Sequence, residues 1–284
     1  MSIRILESRG STLIQDLGRP GFSSWGVGPS GVFDRRAFHH ANTLLGNRED
    51  AAVIEHAGST LTLCASRPHA IAITGASGPA SVDGVPVPVG RVIELSVGSV
   101  LRLEAPVVGL RYLVGVAGGF EPEPVLGSRS RDTLAELGPQ PLTAGSSVPV
   151  GLSTAARWSG VINPTLPSGA MTLRVSLGPR DDWFSFDSIA RLFTSSWQIN
   201  PLSSRVGIRL DGPKLERSRH DELASEGVVR GSIQVTNSGL PIILGPDHPV
   251  TGGYPVIGVI VDSDTDLLAH ARPGDVLHFS RHAI

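Results

Sequence analysis

Short runs rich in β-branched and aliphatic residues recur along the chain, several with strict alternation of apolar and polar positions. STLTLC (59–64), SVLRLE (99–104), TLRVSL (172–177) and RVGIRL (205–210) place every second side chain on one face, the pattern of a half-buried strand. IRIL (3–6), AIAIT (70–74), RVIELS (91–96), LRYLVGVA (110–117), GSIQV (231–235), PIIL (241–244), VIGVIV (256–261) and DVLHFS (275–280) fit buried or edge strands bounded by turn residues. Helical periodicity is rarer. Asp34 stands at the cap of a helix whose Phe38, Ala41 and Leu45 share a face and which Gly46 ends. A second helix is expected over SIARLFTSS, with Asp187 as cap and Ile189 and Phe193 facing inward, and DTLAELG (132–138) reads as a short turn from Asp132 to Gly138. The pattern predicts a mainly β protein built from two β-barrel-like modules with a few short helices.

A stretch rich in Pro, Gly and Ser, RWSGVINPTLPSGA (157–170), separates two strand-rich halves. It predicts an N-terminal domain over 1–168 with a glycine-rich loop and helix, and a C-terminal domain over 169–284. At 284 residues, with 40% hydrophobic and 18% charged, the chain is long enough for two cores. A net charge of -2 gives no reason to expect nucleic acid or an anionic membrane as partner. Without an apolar run long enough to span a bilayer, and without the apolar centre of a signal peptide in MSIRILESRG, a cytoplasmic location is expected. Cys64 lies within a strand pattern and is expected to be a buried, inert thiol.

Arginine supplies all but one of the 24 basic residues; Lys214 is the single lysine, in the turn-like context DGPKLE. Schiff-base chemistry, a P-loop and a biotin-carrier lysine each require a lysine in a setting this sequence lacks. The loop QDLGRPGFSSWGVGPSG (15–31) has the Gly21-x4-Gly26 spacing of a P-loop, but Val27 and Gly28 stand where Lys and Ser/Thr would be needed. Arg35 and Arg36, in the first turn of the helix that follows, oppose its dipole, which suggests a use for their charge or simple solvation. The nine histidines lack metal-ligand spacing, so no metal site is evident. No Ser-Ser pair has the lysine partner that an amidase nucleophile needs.

The segments TLIQDLGRPGF, GVGPSGVFDRRAFHHANTLLGN, GLRYLVGVAGGF with VLGSRSRDTL, SSRVGIRLDG, SEGVVRGSIQVTNSGLPIIL and TGGYP together resemble the family variously called the 5-oxoprolinase C subunit, allophanate hydrolase subunit 2 and the biotin-dependent carboxyltransferase subunit. The resemblance runs along nearly the whole chain. It implies that the second module is cyclophilin-like, and that the chain works in a complex with a homologous B-type subunit, joined in 5-oxoprolinase by an A-type one. That complex uses ATP to open the lactam of 5-oxoproline to glutamate. The alternatives are a carboxyltransferase-type role on urea or another amide, where biotin takes part, and a non-catalytic regulatory role toward a homologue of the B-type subunit or of a kinase inhibitor. By position, the resemblance implies Asp34, Arg35, Asp247 and Tyr254 as catalytic residues. It implies Asp16, Arg19, Ser30, Arg129, Arg205, Glu226, Gln234 and Thr251 as substrate-binding residues. One departure is visible: relatives read close to D-R-Q-T-T-G-G-Y-P-K-I-A where this chain has DHPVTGGYPVIG, so Pro249, Val250 and Val256 replace polar or charged residues.

Overall fold

The structure, a computed structural model, describes residues 2–153, 158–162, 166, 169–219 and 221–282. Ser168, the domain boundary expected from the sequence, lies outside them. The chain divides into two compact units. The first comprises Met1–Arg19, Ser30–Asp132 and Glu136–Leu166; the second comprises Pro20–Pro29, Thr133–Ala135 and Pro167–Ile284.

Nine strands make the sheet of the first unit: β1 (Ser2–Gln15), β2 (Val53–Ala65), β3 (His69–Ser77), β4 (Ala80–Val82), β5 (Val85–Pro86), β6 (Val92–Leu95), β7 (Val100–Leu103), β8 (Val108–Val116) and β9 (Ser147–Pro149). The order is β5-β4-β7-β2-β8-β3-β6, with β1 on β2 and β9 on β1. The long β2 organises the sheet: Leu61–Cys64 pair with β7 and Ile54–Ala57 with β8, while β1 runs antiparallel along its other edge. β1 extends well past the predicted IRIL, through the polar ESRGST, because register shifts at Ile5/Glu7 and Arg9/Gly10 let it follow β2. Gly10 faces Gly58 across that shift. A Cβ on Gly10 would lie 2.4 Å from Ala57 O, and one on Gly58 2.2 Å from Arg9 O, so the two backbones meet at a distance only glycine permits.

Helix α1 (Arg35–Leu45) covers one face of this sheet against β3 and β8. The run AIAIT explains how. Ile71 and Ile73 point into the main core with Ile54 and Val114, while Ala70 and Ala72 leave room on the other face for Leu44 and Leu45. Gly115 continues that small-residue floor, where a Cβ would come within 2.8 Å of Leu45 Cδ1. Phe38, Leu44 and Leu45 have no exposed surface, and burial of each contributes about 1.5–3 kcal/mol.

The second unit contains β10 (Met171–Leu177), α2 (Phe186–Thr194), β11 (Trp197–Ile199), β12 (Gly207–Asp211), β13 (Glu226–Gly227), β14 (Ser232–Val235), β15 (Pro241–Leu244), β16 (Thr251–Gly252), β17 (Val256–Ile260) and β18 (Val276–Arg281). Seven strands close into a barrel in the order β10-β17-β14-β15-β12-β11-β18, sealed by the parallel pair β10–β18; β13 and β16 form a separate ribbon. Met171, Leu173 and Val175 are buried while Thr172 and Arg174 are exposed, the alternation a small filled barrel imposes. The mainly β architecture anticipated above is therefore present, with the first sheet left open and the second closed.

Two local expectations are corrected. α2 is capped by Ser185, whose hydroxyl accepts from Ser188 N at 3.2 Å, and Asp187 sits inside the first turn. Its buried face carries Ser188 and Leu192, whereas Ile189 and Phe193 are half-buried. Cys64 is also half-buried rather than sealed. Among the described residues no helix is long and apolar enough to cross a membrane.

Candidate functional site

In the first unit the sequence-selected residues gather where the end of β1 meets the segment 125–131. Asp16 is the centre. Its Oδ1 accepts from Ser128 Oγ and Ser130 Oγ, both at 2.6 Å, and from Gly18 N at 2.8 Å, while Oδ2 accepts from Arg129 N at 2.6 Å. A carboxylate with four donors has its lone pairs engaged, so Asp16 acts here as a clasp joining two loops rather than as a free base. Arg19, 1% exposed, donates to Val125 O at 3.3 Å and to Ser130 O, which ties the same segment down from the other side. The alternating serines of GSRSRD were the sequence signal for this clasp, and only Arg129 between them was singled out.

Ser30, Asp34 and Arg35 lie at the entry to α1. Ser30 takes a positive φ of 53° and its hydroxyl donates to Arg131 O at 3.4 Å. Asp34 caps the helix, accepting from Ala37 N at 2.8 Å, as the sequence pattern predicts. Arg35 is the first helical residue and is half-buried. The entry is pinned by residues that sequence reading passed over. Glu55 on β2 is 2% exposed and accepts from Phe33 N at 2.8 Å, with Arg111 Nε 3.6 Å from its carboxylate. The Arg111 guanidinium also stacks 4.5 Å from the centre of the Phe33 ring. A charged residue inside the apolar run VIEHA was the available signal.

In the second unit Arg205 and Asp247 form a buried bidentate pair: Nε to Oδ2 and NH2 to Oδ1, both 2.9 Å, with exposures of 5% and 0%. Thr133 adds its N–H at 3.0 Å and its hydroxyl at 2.7 Å to Oδ2. Glu226, Gln234, Thr251 and Tyr254 gather around the β13–β16 ribbon. Glu226 pairs with Arg180 at 3.0 Å, and that hydrogen bond holds its carboxyl below the usual range. Gln234 donates to Tyr254 O at 3.3 Å, and Thr251 opposes Gly227. Tyr254 is 41% exposed, with the Arg217 guanidinium 6.0 Å from its ring centre. Val256, where the resemblance expects a lysine, is buried against Val228 and Leu244.

The glycine-rich segment 20–29 bonds several of its backbone amides to itself. Trp25 N and Val27 N donate to Phe22 O and Gly26 N to Ser23 O, so three amides a phosphate cradle would offer are spent within the loop. Gly28 is needed for close approach, since a Cβ there would lie 2.8 Å from His248 O.

The model of the carboxyltransferase domain, subdomains A and B, matches residues 25–281. This chain belongs to that carboxyltransferase family. It is 33% identical to the 5-oxoprolinase C subunit of Escherichia coli, over 98% of this chain and 90% of that protein. It is 28% identical to the urea amidolyase of Lachancea kluyveri, over 94% of this chain but only 16% of that much longer protein. Among solved structures, that of TTHA0988 is similar, with a TM-score of 0.90 and 30% identity over 98% of this chain; the chain spans 55% of that one. The carboxyltransferase fold therefore accounts for both units.

Proposed function

We propose that the chain is the C-type subunit of an ATP-dependent 5-oxoprolinase complex, working in the cytoplasm beside A- and B-type subunits to open the lactam of 5-oxoproline to glutamate. The observation that carries this reading is the similarity to a 5-oxoprolinase C subunit over 98% of this chain and 90% of that protein. Lactam opening builds negative charge on the carbonyl oxygen, and fixed donors aimed at that charge are the principal demand on the protein. Arg35, set at the start of α1 against the helix dipole, supplies such a charge, with Ser30 and Asp34 in the same short stretch. Tyr254, with its exposed ring beside Glu226, Gln234 and Thr251, presents the polar surface of the second unit to substrate or partner. ATP is a co-substrate of the complex.

The second reading, a carboxyltransferase-type role on urea with biotin, is favoured by the match to a urea amidolyase over 94% of this chain. Substrate-stimulated ATP hydrolysis separates the two. With A- and B-type subunits present, 5-oxoproline should stimulate ATP hydrolysis and urea should not. Stimulation by urea alone, in the presence of a biotinylated carrier, would overturn the 5-oxoprolinase reading.

A further inference from the structure

A cavity of about 330 Å³ lies in the first unit, bordered by Asn47, Arg48, Asp50, Gly119, Glu121 and Arg129, the last of which the family resemblance implies as substrate-binding. Its wall is a turn of two glycines. Gly118 and Gly119 have φ of 94° and 75°; a Cβ on Gly118 would lie 2.4 Å from Gly151 O, and one on Gly119 3.0 Å from Ala51 Cβ. Most polar groups around the cavity are committed. Arg48 and Asp50 pair with each other at 3.0 and 2.7 Å. The Asn47 amide bonds Asn42, Val116 and Gly118. Two charges remain. Arg129 uses its backbone N–H on Asp16, but among the described residues its guanidinium makes no hydrogen bond or ion pair, and its Nε is shut from solvent without an acceptor. Glu121 uses its backbone N–H on Pro149 O, and among the described residues its carboxylate is likewise uncommitted.

We propose that this cavity binds a small zwitterionic amino acid, its carboxylate on Arg129 and its ammonium at Glu121. One uncommitted charge of each sign in one cavity suits a ligand that carries both: a phosphate or dicarboxylate would meet Glu121, and a simple amine would meet Arg129. Arginine matches a carboxylate with parallel N–H donors, which a lysine would not. The volume is that of about ten waters and lies at the small end of ligand sites, the size of a compact amino acid with bridging water. The inference is independent of the lactam reading, since it needs only these two charges and holds whichever amide the complex opens.

Calorimetric titration of the purified full chain with L-alanine and L-serine, against propionate and ethylamine, tests it. The zwitterions should bind at least about tenfold more tightly than either single-charge control. R129Q and E121Q should each weaken zwitterion binding by about tenfold or more, while R67Q, at an exposed cation in the β2–β3 turn, should leave it unchanged. The Gly118 and Gly119 amide resonances should shift on binding. Among the described residues R129Q removes no side-chain hydrogen bond, so its melting temperature should match the parent, and E121Q provides the same test from the other charge. Failure of both zwitterions to approach saturation by about 10 mM, wild-type affinity in either cavity variant, or shifts confined to other residues would overturn the proposal.

Discussion

Asp16 and Asp247 illustrate how a charged residue in this chain serves the fold. Removing the Asp16 side chain leaves the Ser128 and Ser130 hydroxyls and the Gly18 and Arg129 amides without their acceptor. Asp16→Ala should destabilise the chain by about 3 kcal/mol in urea unfolding, since each unsatisfied buried donor costs about 1–3 kcal/mol and some will find water. Asp247→Ala removes both buried hydrogen bonds that Arg205 gives it and should cost about 3–5 kcal/mol, more than Glu226→Ala on the partly exposed Arg180 pair, expected at about 1 kcal/mol or less. The same measurement checks all three; equal losses would contradict the burial argument. These residues also mark what the sequence could not convey. Asp34 was legible as a cap because its partner is three residues away, whereas three of the four donors to Asp16 lie more than 110 residues along the chain and appear only once the sheet has formed.

At the level of elements, most strands were legible because turn residues bracket alternating or aliphatic runs, and α1 was legible from its cap, apolar face and terminal glycine. What escaped was set by tertiary pairing. The polar middle of β1 is a strand only because β2 supplies a long partner edge and Gly10 and Gly58 let the backbones meet. In α2, SFDS offers two cap residues; Ser185 takes the role, and Ser188, whose hydroxyl accepts from Glu216 N, lies on the buried face with Leu192 in place of Ile189 and Phe193. Asp34→Ala should lower stability by about 1 kcal/mol through loss of the α1 cap. Gly58→Ala should cost more, because the new Cβ meets backbone rather than a flexible side chain; a Gly58→Ala protein as stable as the parent in thermal melts would contradict the close approach.

For the whole molecule, pH reports on the buried polar interior. His56 is 1% exposed, its Nδ1 lies 2.7 Å from Thr12 Oγ1, and burial pushes its pKa down to about 4. The unfolded chain takes up that proton near 6.5 and the folded chain near 4, so stability should fall as pH drops through this window, by up to about 3 kcal/mol. His40 and His69, also lowered by burial, act in the same direction, so His56→Gln should flatten the slope without abolishing it. Asp264, held down by its hydrogen bond from Arg174, acts in a separate window: its contribution is present above about pH 4 and is lost as pH falls below that. Urea midpoints from pH 7 down to about pH 4 read the histidine window, and their continuation below pH 4 reads that of Asp264.

The central claim concerns the complex, and glutamate formation tests it most directly. Purified A- and B-type subunits, ATP and 5-oxoproline are assayed for glutamate with this chain and without it. The account predicts ATP-dependent glutamate only when all three subunits are present, and none from this chain alone. Equal glutamate formation in its absence, or none with all three combined, would contradict it.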